Sequence, residues 1–384
     1  MNMIKCQKDK FSLSEDVTYL NAAFMSPQLK TVEEAGIAAL RKKNQPNGIT
    51  ADDFFANRNL LKKKFAELIE LQAPEQIAII PSASYGIANA AHNISLRPGE
   101  EILMVAEQFP SHVYSWKRLA TSHAGFLRIV NPPNTFEHRG EKWNEAILNA
   151  ITDKTAVVAI PHVHWADGTL FDLKAIRKKS REHGALMIID GTQSLGALPF
   201  SVQELEPDVL VCAGYKWLLG PYSLGLAYYG ESFNDGIPIE ENWINRLNSE
   251  DFKGLTAYQE AFQPGAERYS VGESSNFNHL PMLLEALEQL LVWQPQMIQQ
   301  YCHNISAKAI QTIKESGFFI EEDPFRAKHL FGIYLRSGQE LERIKKRLQN
   351  NKIFVSLRGD AIRVSPHLYN TPSDFEQLAR CFQD

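Results

Sequence analysis

The stretch VCAGYKWLLGPYSLGLAYY (211–229) decides how this chain is read. One lysine, Lys216, stands between two apolar runs, Val209 to Ala213 before it and Leu224 to Tyr229 after it. The stretch holds no acidic residue to pair with the amine. Burial disfavours the charged form of a lysine, so such an amine is partly neutral and nucleophilic, as an imine-forming lysine must be. For the lysine alone, snorkelling to the surface is the commoner outcome. Its neighbours must therefore carry the reading.

Outward from this stretch, short apolar runs without strict alternation recur: EQIAIIPS (75–82), EEILMVA (100–106), TAVVAI (155–160), ALMIID (185–190), DVLVCAG (208–214) and LGLAYY (224–229). Helix-like segments separate them, among them SYGIANAAHNI, SHVYSWKRLATSH and 172–183, which sets Leu173, Ile176 and Ser180 on one face. Such runs indicate strands covered on both faces in a mostly parallel sheet, an α/β fold. After about residue 240 the pattern changes. A mixed region (240–275) leads to a long helix from Leu280, then KHLFGIYLRS, a helix at 339–349, IFVSLRG, AIRVSP and a last helix. The expectation is a large domain (51–255), a smaller C-terminal α+β domain (256–384), and an N-terminal segment (1–50) that packs with the small domain.

The 384 residues suffice for a large core. A net charge of −5 argues against a nucleic-acid or anionic-membrane partner. The four cysteines (Cys6, Cys212, Cys302, Cys381) lie far apart with no CxxC pair, which reads as reduced thiols in a cytoplasmic protein. No signal peptide or membrane span is expected, since the N-terminus lacks an apolar core and LLEALEQLLVW carries two glutamates.

Ligands of an open α/β sheet sit beyond the carboxyl ends of its strands. Asp190, Ser82 to Ser84, Phe109, His162 to Trp165 and Lys216 all fall at such ends. There is no GxGxxG, and GPYSLG (220–225) has P-loop spacing but is followed by Leu226. HVH (162–164) suggests no third ligand, so it reads as two strand-end histidines and no metal is expected. Pyridoxal phosphate needs a lysine, a carboxylate at its pyridine nitrogen and a phosphate cup of backbone N–H groups. Lys216 and Asp190 on adjacent strand ends suit it.

IIDGTQSLGALP (188–199) followed by VCAGYKWLLGP (211–221) resembles the class V aminotransferase-fold group of pyridoxal-phosphate (PLP) enzymes. That group includes cysteine desulfurases, selenocysteine lyases, isopenicillin N epimerase-like proteins and, more distantly, kynureninases. The likeness runs from YLNAAFMSP (19–27) to IRVSPHLYNT (362–371). It implies the PLP-dependent transferase fold (fold type I), an amino-acid substrate and a homodimer with shared active sites. It further implies that Lys216 forms the internal aldimine and shuttles protons. Asp190 would bind the pyridine nitrogen and Gln193 the ring's 3′-oxygen. Ala83 and Ser84 would hold the phosphate, with Tyr215 and, across the dimer, Ser274 or Ser275 contributing hydroxyls. Phe109 would stack on the ring, and Arg363 and Asn21 would bind substrate, Arg363 through its bidentate fork.

Departures from the family narrow the reaction. Ala213-Gly214-Tyr215-Lys216 lacks the serine often found before the lysine, and Tyr215 and FPSHVY lean towards kynureninase. Trp165 stands where many desulfurases have asparagine. VSLRGDAIRVS (355–365) is short and holds no cysteine, which disfavours a desulfurase with a persulfide relay. Arg358 either assists Arg363 or pairs with Asp360. His112, His162, His164, Trp165 and Tyr222 are candidates to line the side-chain pocket, with packing the commoner role for each. The reading is a PLP enzyme catalysing aminotransferase, epimerase or selenocysteine lyase-like chemistry; the alternatives are a kynureninase-like hydrolase or a non-catalytic binding module of the same fold.

Overall fold

Every residue of the runs Ile77–Ile80 and Val209–Ala213 is buried, as a strand covered on both faces requires. The computed structural model describes residues 4–335 and 341–383. Its strands are, in chain order, β1 (Thr18–Tyr19), β2 (Ile77–Ile80), β3 (Glu101–Val105), β4 (Phe126–Val130), β5 (Thr155–Pro161), β6 (Leu186–Asp190), β7 (Val209–Ala213), β8 (Gly225–Tyr229), β9 (Phe331–Tyr334), β10 (Ile353–Phe354), β11 (Ser356–Arg358) and β12 (Ala361–Val364).

Seven strands form one sheet in the order β2-β8-β7-β6-β5-β3-β4. Only β8 is reversed, pairing antiparallel with β2 and β7. The other six therefore run the same way, and their carboxyl ends share one edge. Alternate residues feed two cores. Ile77, Ile79, Leu103 and Val105 face one side with Trp143, Ile147 and Ile176. Ala78, Ile80, Ile102 and Met104 face the other with Ile87, Trp116 and Leu119. The helix Ala83–His92 lies close on this second face because residue 86 is glycine: a β-carbon there would sit 2.8 Å from Val211 Cγ1.

The edge strand β4 (FLRIV) was not expected. Phe126, Arg128 and Ile129 are exposed, so it lacks the buried apolar run that marks the others. The long helix expected from Leu280 is two helices, His279–Trp293 and Pro295–Glu315. Gln294 between them takes a left-handed φ of 64°, and Pro295 cannot continue the first helix. The first of the pair packs on the helices Lys30–Lys42 and Ala56–Leu68.

A three-stranded antiparallel sheet, β11-β12-β9, forms a separate core with the helices Pro295–Glu315 and Pro372–Arg380. The helix expected at 339–349 is Leu341–Asn350; positions 339 and 340, and the last two of KHLFGIYLRS, lie outside the described residues. β1 pairs in parallel with β10, and Asn21 bridges Ser365, so the N-terminal strand lies against this smaller sheet. Among the described residues no helix is long and apolar enough to cross a membrane.

Candidate active site

The carboxyl edge of the large sheet opens into a cavity of about 270 Å³. Ser82, Ala83, Ser84, Phe109, Trp165, Asp190, Gln193, Tyr215, Lys216 and Tyr222 line it. Residues from five separate strand ends are thus brought together.

Lys216 sits in the loop that leaves β7 and returns as β8, closed by Gly214 N–H donating to Leu224 O at 2.8 Å. The residue is 6% exposed, and its amine has no hydrogen bond or ion pair among the described residues. Nζ lies 5.3 Å from the centre of the Phe109 ring and 5.5 Å from that of Tyr215. Burial pushes the amine down to about 8; Asp190 opposes the shift, while Arg363 adds to it. Near pH 8 about half of such an amine is neutral and nucleophilic.

Asp190 ends β6, between Pro161 of β5 and Val211 of β7. Its Oδ1 accepts from Thr192 N–H at 2.9 Å, leaving Oδ2 without a partner among the described residues. Gln193 is held from three sides. Trp217 Nε1 donates to its Oε1 (2.8 Å), its own Nε2 donates to Ala23 O (3.2 Å), and its carbonyl meets His329 Nε2 (2.7 Å). With the oxygen engaged, the second amide hydrogen remains for a ligand.

The helix Ala83–His92 begins at the rim. Ser82 caps it, its hydroxyl accepting from Tyr85 N–H at 3.2 Å and lying 2.8 Å from Ser84 Oγ. The first N–H groups of a helix have no intrahelical partner and carry partial positive charge, so this end suits an anion. Phe109 is half-buried and meets Trp165 edge-on, with ring centres 5.3 Å apart. Tyr215 and Tyr222 lie 4.6 Å apart, and burial raises the Tyr215 phenol, keeping it a donor.

Arg363 and Asn21 are buried nearby without lining this cavity. Arg363 Nη1 donates to Trp165 O at 2.8 Å, while Nε and Nη2 have no partner among the described residues. Burial and then Arg358 push its guanidinium down to about 9, still charged at neutral pH. Asn21 Oδ1 accepts from Ser356 Oγ at 2.8 Å. Ser274 also lies outside the cavity, its buried hydroxyl unpartnered, and Ser275 donates to Phe54 O. His112 is fully buried with both ring nitrogens unpartnered, and burial lowers it to about 4. His164 is tied to Asp167 and Ala106 O, and His162 packs on Phe200, so neither reaches the cavity.

Gln108, Ser111, Thr192 and Ser223 also line the cavity and were not anticipated. They sit one or two residues from anticipated positions, in turns whose path a sequence pattern does not give.

Residues 50–378 match the family model of the aminotransferase class-V enzymes. The chain belongs to the class V aminotransferases. Members of this family use pyridoxal 5′-phosphate, and this chain is a PLP-dependent enzyme. It is 26% identical over 314 residues to the uncharacterized aminotransferase YcbU of Bacillus subtilis (strain 168), covering 82% of this chain and 80% of that one. A cysteine desulfurase of Escherichia coli O8 (strain IAI1) is 27% identical over 183 residues, 46% of this chain and 43% of the relative. Among solved structures, a cysteine desulfurase from Thermococcus onnurineus NA1 superposes with a TM-score of 0.83 at 19% identity, over 99% of this chain and 98% of that one. The cystine C–S lyase C-DES, in complex with cysteine persulfide, gives 0.83 at 19% identity over 96% and 98%. At these identities the structural likenesses show the fold.

The class V residues present here fit the cofactor on chemical grounds. The cavity offers a buried amine that makes no ion pair among the described residues, a carboxylate with a free oxygen, a helix N-terminus and an aromatic wall.

Proposed function

We propose that this class V aminotransferase transforms an amino acid at its α- or β-carbon, by transamination, epimerisation or elimination. The observation that carries the reading is Lys216: a buried, unpaired amine facing Asp190 across one cavity. When bound, pyridoxal phosphate supplies the electron sink for bond-breaking at the substrate.

In this reading Lys216 Nζ would hold the cofactor and would carry a proton at the substrate α-carbon. Asp190 Oδ2 would accept from the pyridine N–H, and Gln193 Nε2 would donate to the ring hydroxyl oxygen. The N–H groups of Ala83 and Ser84 would hold the phosphate with the Ser84 hydroxyl, and Tyr215 O–H would donate to it. The Phe109 ring would pack on the cofactor. Arg363, with Nε and Nη2 free, binds the substrate α-carboxylate beside Asn21. None of the four cysteines lines the cavity, and Cys212, Cys302 and Cys381 are buried, which speaks against a persulfide relay.

We further place the enzyme in the cytoplasm as a homodimer, with Ser274 of each chain directed to its partner's site. Exposed apolar side chains at Ile37, Leu40, Trp243 and Phe252 support a covered face in this part of the chain. We also propose 51–255 and 256–384 as its two domains, with 1–50 tied to the second through the β1–β10 pair.

The visible spectrum of the purified protein, with Lys216→Ala beside it, tests the site. A visible band that shifts when an amino acid is added, and that loses this response in Lys216→Ala, is expected. A protein that stays colourless when given pyridoxal phosphate would overturn the reading.

A further inference from the structure

Next to the cavity, both in contact with its lining residue Trp165, stand two arginines, more positive charge than an α-carboxylate alone would neutralise. Arg358 and Arg363 stand on the antiparallel strands β11 and β12, where Ser356 pairs with Arg363. Arg358, two residues beyond Ser356, projects from the same face as Arg363, as its diagonal neighbour at roughly 7–8 Å. Neither arginine has an ion pair among the described residues, and Arg358 does not pair with Asp360. Nε of each, and Nη2 of Arg363, is buried without a hydrogen-bond partner.

One residue holds both. The Trp165 carbonyl accepts from Arg363 Nη1 at 2.8 Å, and the Trp165 ring, which lines the cavity, lies 5.5 Å from the Arg358 guanidinium carbon. A ring face steadies a guanidinium without occupying its N–H groups. Trp165 is in turn fixed by donating Nε1 to Glu107 O at 2.6 Å. Among the residues lining the cavity the only carboxylate is Asp190, which stands beside Lys216. Two forks on one face of a hairpin, with unused donors, call for two anionic groups.

We propose that the substrate is an acidic amino acid, whose α-carboxylate takes Arg363 and whose side-chain carboxylate takes Arg358. This rests on the reading of the site as a PLP site that binds an amino acid, and it adds the substrate class. Arg358 is then a specificity-determining residue, with Trp165 as its positioning residue.

The test is a spectral titration of the holoenzyme with L-aspartate, L-glutamate, L-asparagine and L-glutamine, repeated with Arg358→Gln and Arg358→Lys. The expected result is half-saturation by one of the acids at roughly 10- to 100-fold lower concentration than by its amide, the range set by a charge-assisted hydrogen bond. Arg358→Gln should abolish that preference while leaving the response to the amide within about threefold, and Arg358→Lys should lose part of it. Three results would overturn the proposal: amides acting at concentrations no higher than the acids, Arg358→Gln weakening acid and amide equally, or a coloured holoenzyme that responds to neither acid. A wild-type protein without visible absorbance would instead sink the underlying cofactor reading, and the two failures are told apart by colour alone.

Discussion

Two groups of buried charges in this molecule contrast sharply. Behind the cavity, Arg139 donates to Asp167 Oδ2 (2.8 Å), Thr169 Oγ1 (2.9 Å) and Glu321 Oε2 (3.3 Å). Tyr334 O–H donates to the same Asp167 oxygen at 2.7 Å, and His164 meets the other at 3.0 Å. Burial is the largest influence on Asp167 and acts upward, yet His164 and Arg139 together hold its carboxyl well below the usual range. This cluster ties the loop after β5 to β9 and to the chain before it. Gly168 in that loop, at φ +76°, lies where a β-carbon would collide with Leu330 O. In the cavity Lys216, and beside it Arg363, are as deeply buried but make no ion pair among the described residues. A buried charge whose partners are all protein groups stabilises an arrangement; one with vacant donors awaits a ligand.

The contrast can be broken by mutation. Asp167→Ala should lower the unfolding free energy by roughly 3–5 kcal/mol, since it removes the buried partner shared by Arg139, His164 and Tyr334 and leaves Arg139 with Glu321 as its only carboxylate among the described residues; urea denaturation reads this directly. Arg363→Gln should change stability by less than about 1 kcal/mol and raise the substrate KM roughly 10- to 100-fold. If Arg363→Gln proves as destabilising as Asp167→Ala, the two groups are alike and the contrast fails. The remaining effect is a pH slope in the cofactor-free protein. The Lys216 amine lies near 8 in the folded chain against 10.5 when unperturbed. Between these values only the unfolded chain holds the proton, so stability should rise with pH, by up to about 1.4 kcal/mol per unit. Lys216→Met should flatten that slope in chemical denaturation between pH 8 and 10.5.

Strands covered on both faces were legible because their apolar runs are continuous, and the residues at their carboxyl ends followed from the topology of open sheets. β4 was not legible, because an edge strand with Phe126, Arg128 and Ile129 exposed carries no burial signal. The break at Gln294 was missed because the residues on either side keep a helical pattern. Lys216 and Asp190 were readable as a pair from residue type and place at strand ends, and Gln193 only from the family resemblance. The double hold of Trp165 on Arg358 and Arg363 was not, since it joins a loop after β5 to a hairpin nearly two hundred residues later. Ser274 shows the same limit: its buried, unpartnered hydroxyl lies outside the cavity lined by this chain.

The central claim is that the unpaired amine of Lys216 is the attachment point of the cofactor. The most direct measurement is to saturate the protein with pyridoxal phosphate, reduce it with borohydride, digest it and locate the pyridoxyl group by mass spectrometry. The account expects one modified peptide containing Lys216. Modification at another lysine, or at none, would contradict it.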